Sequence, residues 1–170
     1  SLKKDVLPFI AESLKGFGIP KILKNSVIII TGDHGESFGQ KNIFTHSLGV
    51  NEQSIKVPLL VKFPISMKYT VNLNQVSHFG LAQLIRWIAS DQSLNMETIN
   101  QFISSKMTED YILSNNCARN QFSVRWKNEF KLIYNSQMSD YQLFNLKLDP
   151  NETTDVQDTN RIVFSDLKNY

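Results

Sequence analysis

The segment TGDHGES, residues 31–37, sets a carboxylate and an imidazole side by side at Asp33 and His34, directly after an apolar run. A carboxylate oxygen and a neutral imidazole nitrogen are both good ligands for a divalent cation, and a loop can aim adjacent residues at one point. Gly32 and Gly35 flank the pair and permit the tight backbone that such convergence needs. Taken alone, the tripeptide fits a capping aspartate and a surface histidine equally well. Two neighbours are candidates to close a coordination sphere: Glu36, and His46, twelve positions beyond His34. Each of these, in isolation, also reads as a solvated loop residue.

Such a pair needs a rigid support. The run SVIIIT, residues 26–31, is β-branched and bounded by polar residues, which predicts a strand buried on both faces, the parallel-sheet kind. Ligands of open α/β sheets sit beyond the carboxyl ends of strands, and that is where Asp33 and His34 fall. Residues 32–54 form a polar, glycine-dotted stretch too long for a simple turn, and VPLLVKF, residues 57–63, predicts a second buried strand headed by Pro58. Helical spacing appears over residues 2–17, again from Val76 to Ile88, and over a shorter piece from Met96 to Ile103. This alternation is the signature of an α/β layer fold. After about residue 110 the pattern changes to short strands, YILSN, FSVRW, FKLIY and YQLFNL, with a hairpin turn at Lys127-Asn128-Glu129. Asp149-Pro150-Asn151 breaks that sheet, and residues 161–170 predict a terminal helix.

Composition narrows the function classes. The chain has 170 residues, 41% of them hydrophobic, enough for one globular domain with a core. A net charge of +2, from 18 basic and 16 acidic residues scattered along the chain, gives no footprint for nucleic acid or an anionic membrane. No apolar stretch approaches the roughly 20 residues that span a bilayer, and the first ten residues lack a signal-peptide layout. There is no G-x-S-x-G elbow and no phosphate-binding loop, so neither acyl transfer nor nucleotide hydrolysis has a local signature. Cys117, the only cysteine, lacks an evident histidine partner and reads as a small hydrophobe, and His78 reads as a packed helix residue.

TGDHGES, then His46, then NEQSIKVPLLV, taken in order, resembles the sulfatase family of the alkaline phosphatase superfamily. His46 precedes Pro58 by twelve positions, and Glu52, Ile55, Lys56 and Val57 stand where that family shows E-E-x-I-R-V-P. VSHFGLAQLI, VRWKNEFKLIYN and YQLFNLKLDPNETTDV resemble its later patterns, so that the likeness covers roughly residues 5–156. Gly80 stands in place of the usual aspartate, Gln83 and Leu84 in place of Pro-Thr, and Asn51 in place of the usual tyrosine.

The resemblance implies an α/β fold: part of an alkaline-phosphatase-like, mostly parallel sheet flanked by helices, then a small antiparallel C-terminal sheet with a terminal helix. Residues 1–108 would belong to the catalytic domain and residues 109–170 to the C-terminal subdomain. It implies that Asp33 and His34 bind a divalent metal ion, calcium foremost, with magnesium, manganese and zinc as alternatives. It also implies that His46 contacts the transferred group or protonates the leaving oxygen, a role that imidazole suits. The substrate would be a sulfate or phosphate ester; the resemblance leaves the compartment open, and extracytoplasmic, secreted and lysosomal settings are all compatible with it. Family nucleophiles lie far upstream, and CARNQ around Cys117 is not C-x-P-x-R. The chain thus reads as the C-terminal portion of a sulfatase-like protein, incomplete and inactive alone. The rival readings are a phosphoethanolamine or glycerol-phosphate transferase of the same superfamily and a non-catalytic binding domain that kept the fold.

Overall fold

The computed structural model describes Glu12 and residues 24–39, 49–64, 74–90 and 93–170. Except for Glu12, the helix expected over residues 2–17 lies outside the described residues. The chain divides into two compact units, Ser1–Thr31 with Pro58–Thr70, and Gly32–Val57 with Val71–Tyr170.

In the first unit both apolar runs form strands, β1 (Ile28–Thr31) and β2 (Leu59–Lys62). They pair antiparallel, Ile29 opposite Val61 and Ile30 opposite Leu60. This corrects the expectation of a mostly parallel sheet: among the described residues every strand pair is antiparallel. A run that is apolar on both faces reports that both faces are covered and carries no information about the direction of its neighbour. Burial is also partial, with the three isoleucines half-buried and Thr31 exposed. The Lys62 ammonium donates to the carbonyls of Lys24 at 3.3 Å and Ser26 at 3.1 Å, fixing the entry to β1.

Among its described residues the second unit has first a single helical turn, α1 (Glu52–Ile55). Next comes α2 (His78–Ala89), capped by Ser77, whose hydroxyl oxygen accepts from the Gly80 N–H at 3.1 Å. α3 (Met96–Phe102) starts in a reciprocal cap between Asn95 and Thr98 and runs into a π-type turn, Ile103–Met107. Trp87 of α2 stacks on Phe102 of α3 at 4.6 Å. Gly80 is buried against that turn: a Cβ there would meet Met107 O and the Glu109 carboxylate, each at 3.2 Å. The Glu109 carboxylate that borders Gly80 is bonded to the Ser77 hydroxyl.

Four strands follow as a meander in the order β3 (Tyr111–Asn116), β4 (Gln121–Trp126), β5 (Phe130–Asn135) and β6 (Asp140–Asn145). Each predicted strand is present within a residue or so of its expected bounds. The β4–β5 turn closes with Glu129 N donating to Trp126 O at 2.9 Å, and Lys127 and Asn128 both adopt positive φ, 49° and 56°. Two residues of that hand match the twist of the flanking strands, which is why so short a loop suffices.

Alternation gives this sheet two different faces. One carries Val124, Phe130, Leu132 and Leu143 and is covered by α4 (Arg161–Lys168) through Val163, Phe164 and Leu167. Burying Leu143 completely contributes about 1.5–3 kcal/mol to this core. The other face carries Ile133 and Phe144, packed with Val50, Ile55 and Leu146, and beside them Arg125 and Lys131.

Past β6 the chain turns on Asp149, whose carboxylate accepts from Thr153 N at 2.6 Å and Thr154 N at 2.8 Å and from the Thr153 hydroxyl at 3.1 Å. Burial alone would raise this carboxyl, but the backbone N–H groups of Thr154, Thr153 and Asn151 and the Thr153 hydroxyl together hold it below its ordinary value of 3.8. A depressed folded-state pKa adds stability that is present above the unfolded value and lost as pH falls through the folded one. Asp149→Ala should therefore unfold at a lower temperature than the native sequence at pH 7, and the gap between the two melting curves should narrow as pH falls below 3.8. A difference that stayed constant down to pH 2 would refute this account.

Candidate metal centre

Asp33 and His34 lie two and three residues past the end of β1 along the chain. Both are accessible: the side chains are 91% and 48% exposed. Asp33 Oδ1 accepts from the backbone N–H of His34 at 3.0 Å, which leaves Oδ2 turned to the imidazole, 3.8 Å from Nε2. The other ring nitrogen, Nδ1, lies 2.9 Å from Gly35 O. A carbonyl can only accept, so the Nδ1 contact is made by an N–H, and in the neutral tautomer the lone pair then falls on Nε2, toward Asp33 Oδ2. Two acceptor atoms thus face each other at a distance that one cation with bonds of about 2.0–2.6 Å can bridge. A carboxylate beside an imidazole whose Nδ1 is held by a carbonyl is donor chemistry suited to a divalent cation.

The backbone of this loop is held from two sides within the second unit. Upstream, His78 Nε2 lies 3.1 Å from Gly32 O. His78 was expected to pack against its helix; it sits instead in the exposed first turn of α2, where its ring reaches the loop carbonyl. Downstream, Gly35 N donates to Ser54 O of α1 at 2.8 Å. The approach is so close that a Cβ on residue 35 would fall 2.0 Å from Gln53 O, so only glycine fits.

His46 lies outside the described residues. Among the described residues no third His, Cys, Asp or Glu joins Asp33 and His34 in a cluster able to hold an ion. Cys117 is exposed in the 3-10 connection Cys117–Arg119 between β3 and β4.

Behind α1 stands a buried charge cluster that sequence reasoning did not single out. Arg125 and Lys131 are direct cross-strand partners on β4 and β5, an arrangement of like charges that is unfavourable by itself. Glu52 resolves it by spanning both, Oε2 to Arg125 at 3.1 Å and Oε1 to Lys131 at 3.3 Å. Glu152 adds a second carboxylate, 2.7 Å from the Lys131 ammonium, and both of those side chains are wholly buried. Its other oxygen accepts from Glu52 N at 3.0 Å and Asn51 Nδ2 at 2.9 Å. The side chain of Asn51 makes no cap for α1; a residue a hundred positions away supplies the acceptor instead. Two cations and two anions balance. Each was a fixed letter in one of the family-like patterns (N-E-Q-S, V-R-W, F-K-L-I-Y and D-P-N-E), and that was the only signal available.

No family model and no curated protein matches the sequence. Solved structures do match. A protein solved in complex with its substrate D-glucosamine-2-N,6-O-disulfate superimposes with a TM-score of 0.70 at 15% identity, over 94% of this chain and 36% of that one. A 2-O GAG sulfatase gives a TM-score of 0.66 at 15% identity, over 90% of this chain and 36% of that one. A protein of glycosaminoglycan metabolism from Bacteroides thetaiotaomicron gives 0.57 at 20% identity, over 94% and 41%. The chain thus spans little more than a third of the length of these proteins, and it has the fold of the C-terminal portion of a sulfatase.

Proposed function

We propose that this chain is the C-terminal portion of a metal-dependent sulfuric ester hydrolase, with residues 1–108 belonging to its catalytic domain and residues 109–170 forming its C-terminal subdomain. The observation that carries the reading is the facing of His34 Nε2 and Asp33 Oδ2 in a loop whose tautomer is set by Gly35 O. Asp33 and His34 would hold a divalent cation, calcium foremost, and such an ion stabilises negative charge developing on the transferred group. His46 gives its proton to the leaving oxygen, since an imidazole near neutrality can both hold and release one. The nucleophile belongs to the remainder of the protein. The fold likeness to a protein solved with a disulfated glucosamine favours a sulfated sugar as substrate over a phosphate ester.

The test uses the full-length protein with aryl sulfate and aryl phosphate esters, in calcium and after chelation. Sulfate turnover that exceeds phosphate turnover, disappears with chelator and returns with calcium is the expected result. Turnover indifferent to chelation would sink the reading, and a preference for phosphate would move it to the transferase branch of the superfamily.

A further inference from the structure

The geometry points to Glu152 as a positioning residue for the metal loop, acting through α1 and Gly35. The inference rests on the metal reading above only for its functional consequence. Glu152 is 1% exposed and holds φ at +56°, a backbone conformation that a glutamate adopts only when its surroundings enforce it. Both carboxylate oxygens are committed, one to the Lys131 ammonium and the other to Glu52 N and Asn51 Nδ2 at the start of α1. At the far end of the same turn, Ser54 O takes the N–H of Gly35, and Gln53 O fills the space beside it. Gly35 O in turn sets the tautomer of His34. The route from Glu152 to the ligand nitrogen is therefore continuous: carboxylate, α1, Gly35, His34.

Stability alone does not account for this arrangement. Apolar residues of similar volume commonly hold two elements together as well as a buried ion cluster or better, because they avoid desolvating charge. What apolar contacts lack is direction. A carboxylate bonded to the first N–H of α1 fixes the rotation of that turn, and the rotation decides where Gln53 O and Ser54 O stand against Gly35.

Hydrogen exchange followed by mass spectrometry on the metal-free full-length protein tests this. Glu152→Gln is compared with Leu143→Ala, which opens the core on the opposite face of the sheet. Exchange in residues 32–39 should rise about tenfold in Glu152→Gln, well above the rise in residues 121–135, which lose the Lys131 contact only, while Leu143→Ala leaves residues 32–39 at the native rate. Asn51→Ala, a milder change, should raise the same peptide by a smaller factor and serves if Glu152→Gln does not fold. Calcium affinity of Glu152→Gln should fall about ten- to a hundredfold, as for residues that orient a ligand. Unchanged exchange in residues 32–39, or an equal rise across loop and sheet in both core variants, would overturn the proposal. A native protein that binds no calcium, yet shows the selective exchange, leaves the positioning role standing and removes the metal reading alone.

Discussion

On the function proposed above, Asp33→Ala in the full-length protein should abolish calcium binding and lower sulfate ester turnover by at least about a thousandfold, with almost no change in unfolding temperature. The size follows from the chemistry of the ion, which supplies several kcal/mol of charge stabilisation, at about 1.4 kcal/mol for each factor of ten in rate. The small effect on stability follows from the structure. The Asp33 side chain is 91% exposed, and its described backbone bond is to the adjacent residue, the N–H of His34. A carboxylate this exposed contributes little to folding. Calorimetric titration with calcium beside a melting curve separates the two readouts. Affinity equal to that of the native protein would remove Asp33 from the metal site and favour the non-catalytic binding domain.

Lys131→Met has the opposite profile: a large loss of stability, on the order of 3–5 kcal/mol, the cost of leaving a buried charge without its partner. Lys131 lies wholly inside, between Glu52 Oε1 at 3.3 Å and Glu152 Oε1 at 2.7 Å. Methionine matches its length and removes its charge, so that two carboxylates with 0–8% exposure face a single guanidinium. The comparison is Lys147→Met, which breaks the 2.9 Å pair with Glu129, where the side chains are 60% and 36% exposed. That pair contributes roughly 0–1 kcal/mol. Urea unfolding of the two variants should therefore separate by several kcal/mol. Similar losses in both would show that water enters the cluster and that its burial has no energetic weight.

The two variants also divide the molecule by how its features arise. Strands β3 to β6 and helices α2, α3 and α4 were readable from the sequence because their periods, two and 3.6, are local properties of the chain. The Lys127-Asn128-Glu129 turn was readable for the same reason, since its residues alone satisfy its backbone. Asp33 and His34 were readable as a carboxylate and an imidazole in one loop because adjacency and flanking glycines are written in order.

Direction and partnership were not. That Ile29 meets Val61 in an antiparallel pair depends on the path between them, which the apolar content of neither run encodes. His78 sat at a helical spacing that predicted packing, and only the placement of the α2 first turn turned its ring to Gly32 O. Each member of the buried cluster looked like an ordinary charged residue, because nothing in V-R-W or F-K-L-I-Y says that Arg125 and Lys131 stand opposite one another. The sequence by itself determined which segments are helix or strand and that a carboxylate and an imidazole share one loop. The tertiary structure alone decided that the His78 ring meets the Gly32 carbonyl, and that Glu152 caps a turn a hundred residues earlier. Those are contacts between distant segments, and their energies depend on burial, which no local pattern fixes.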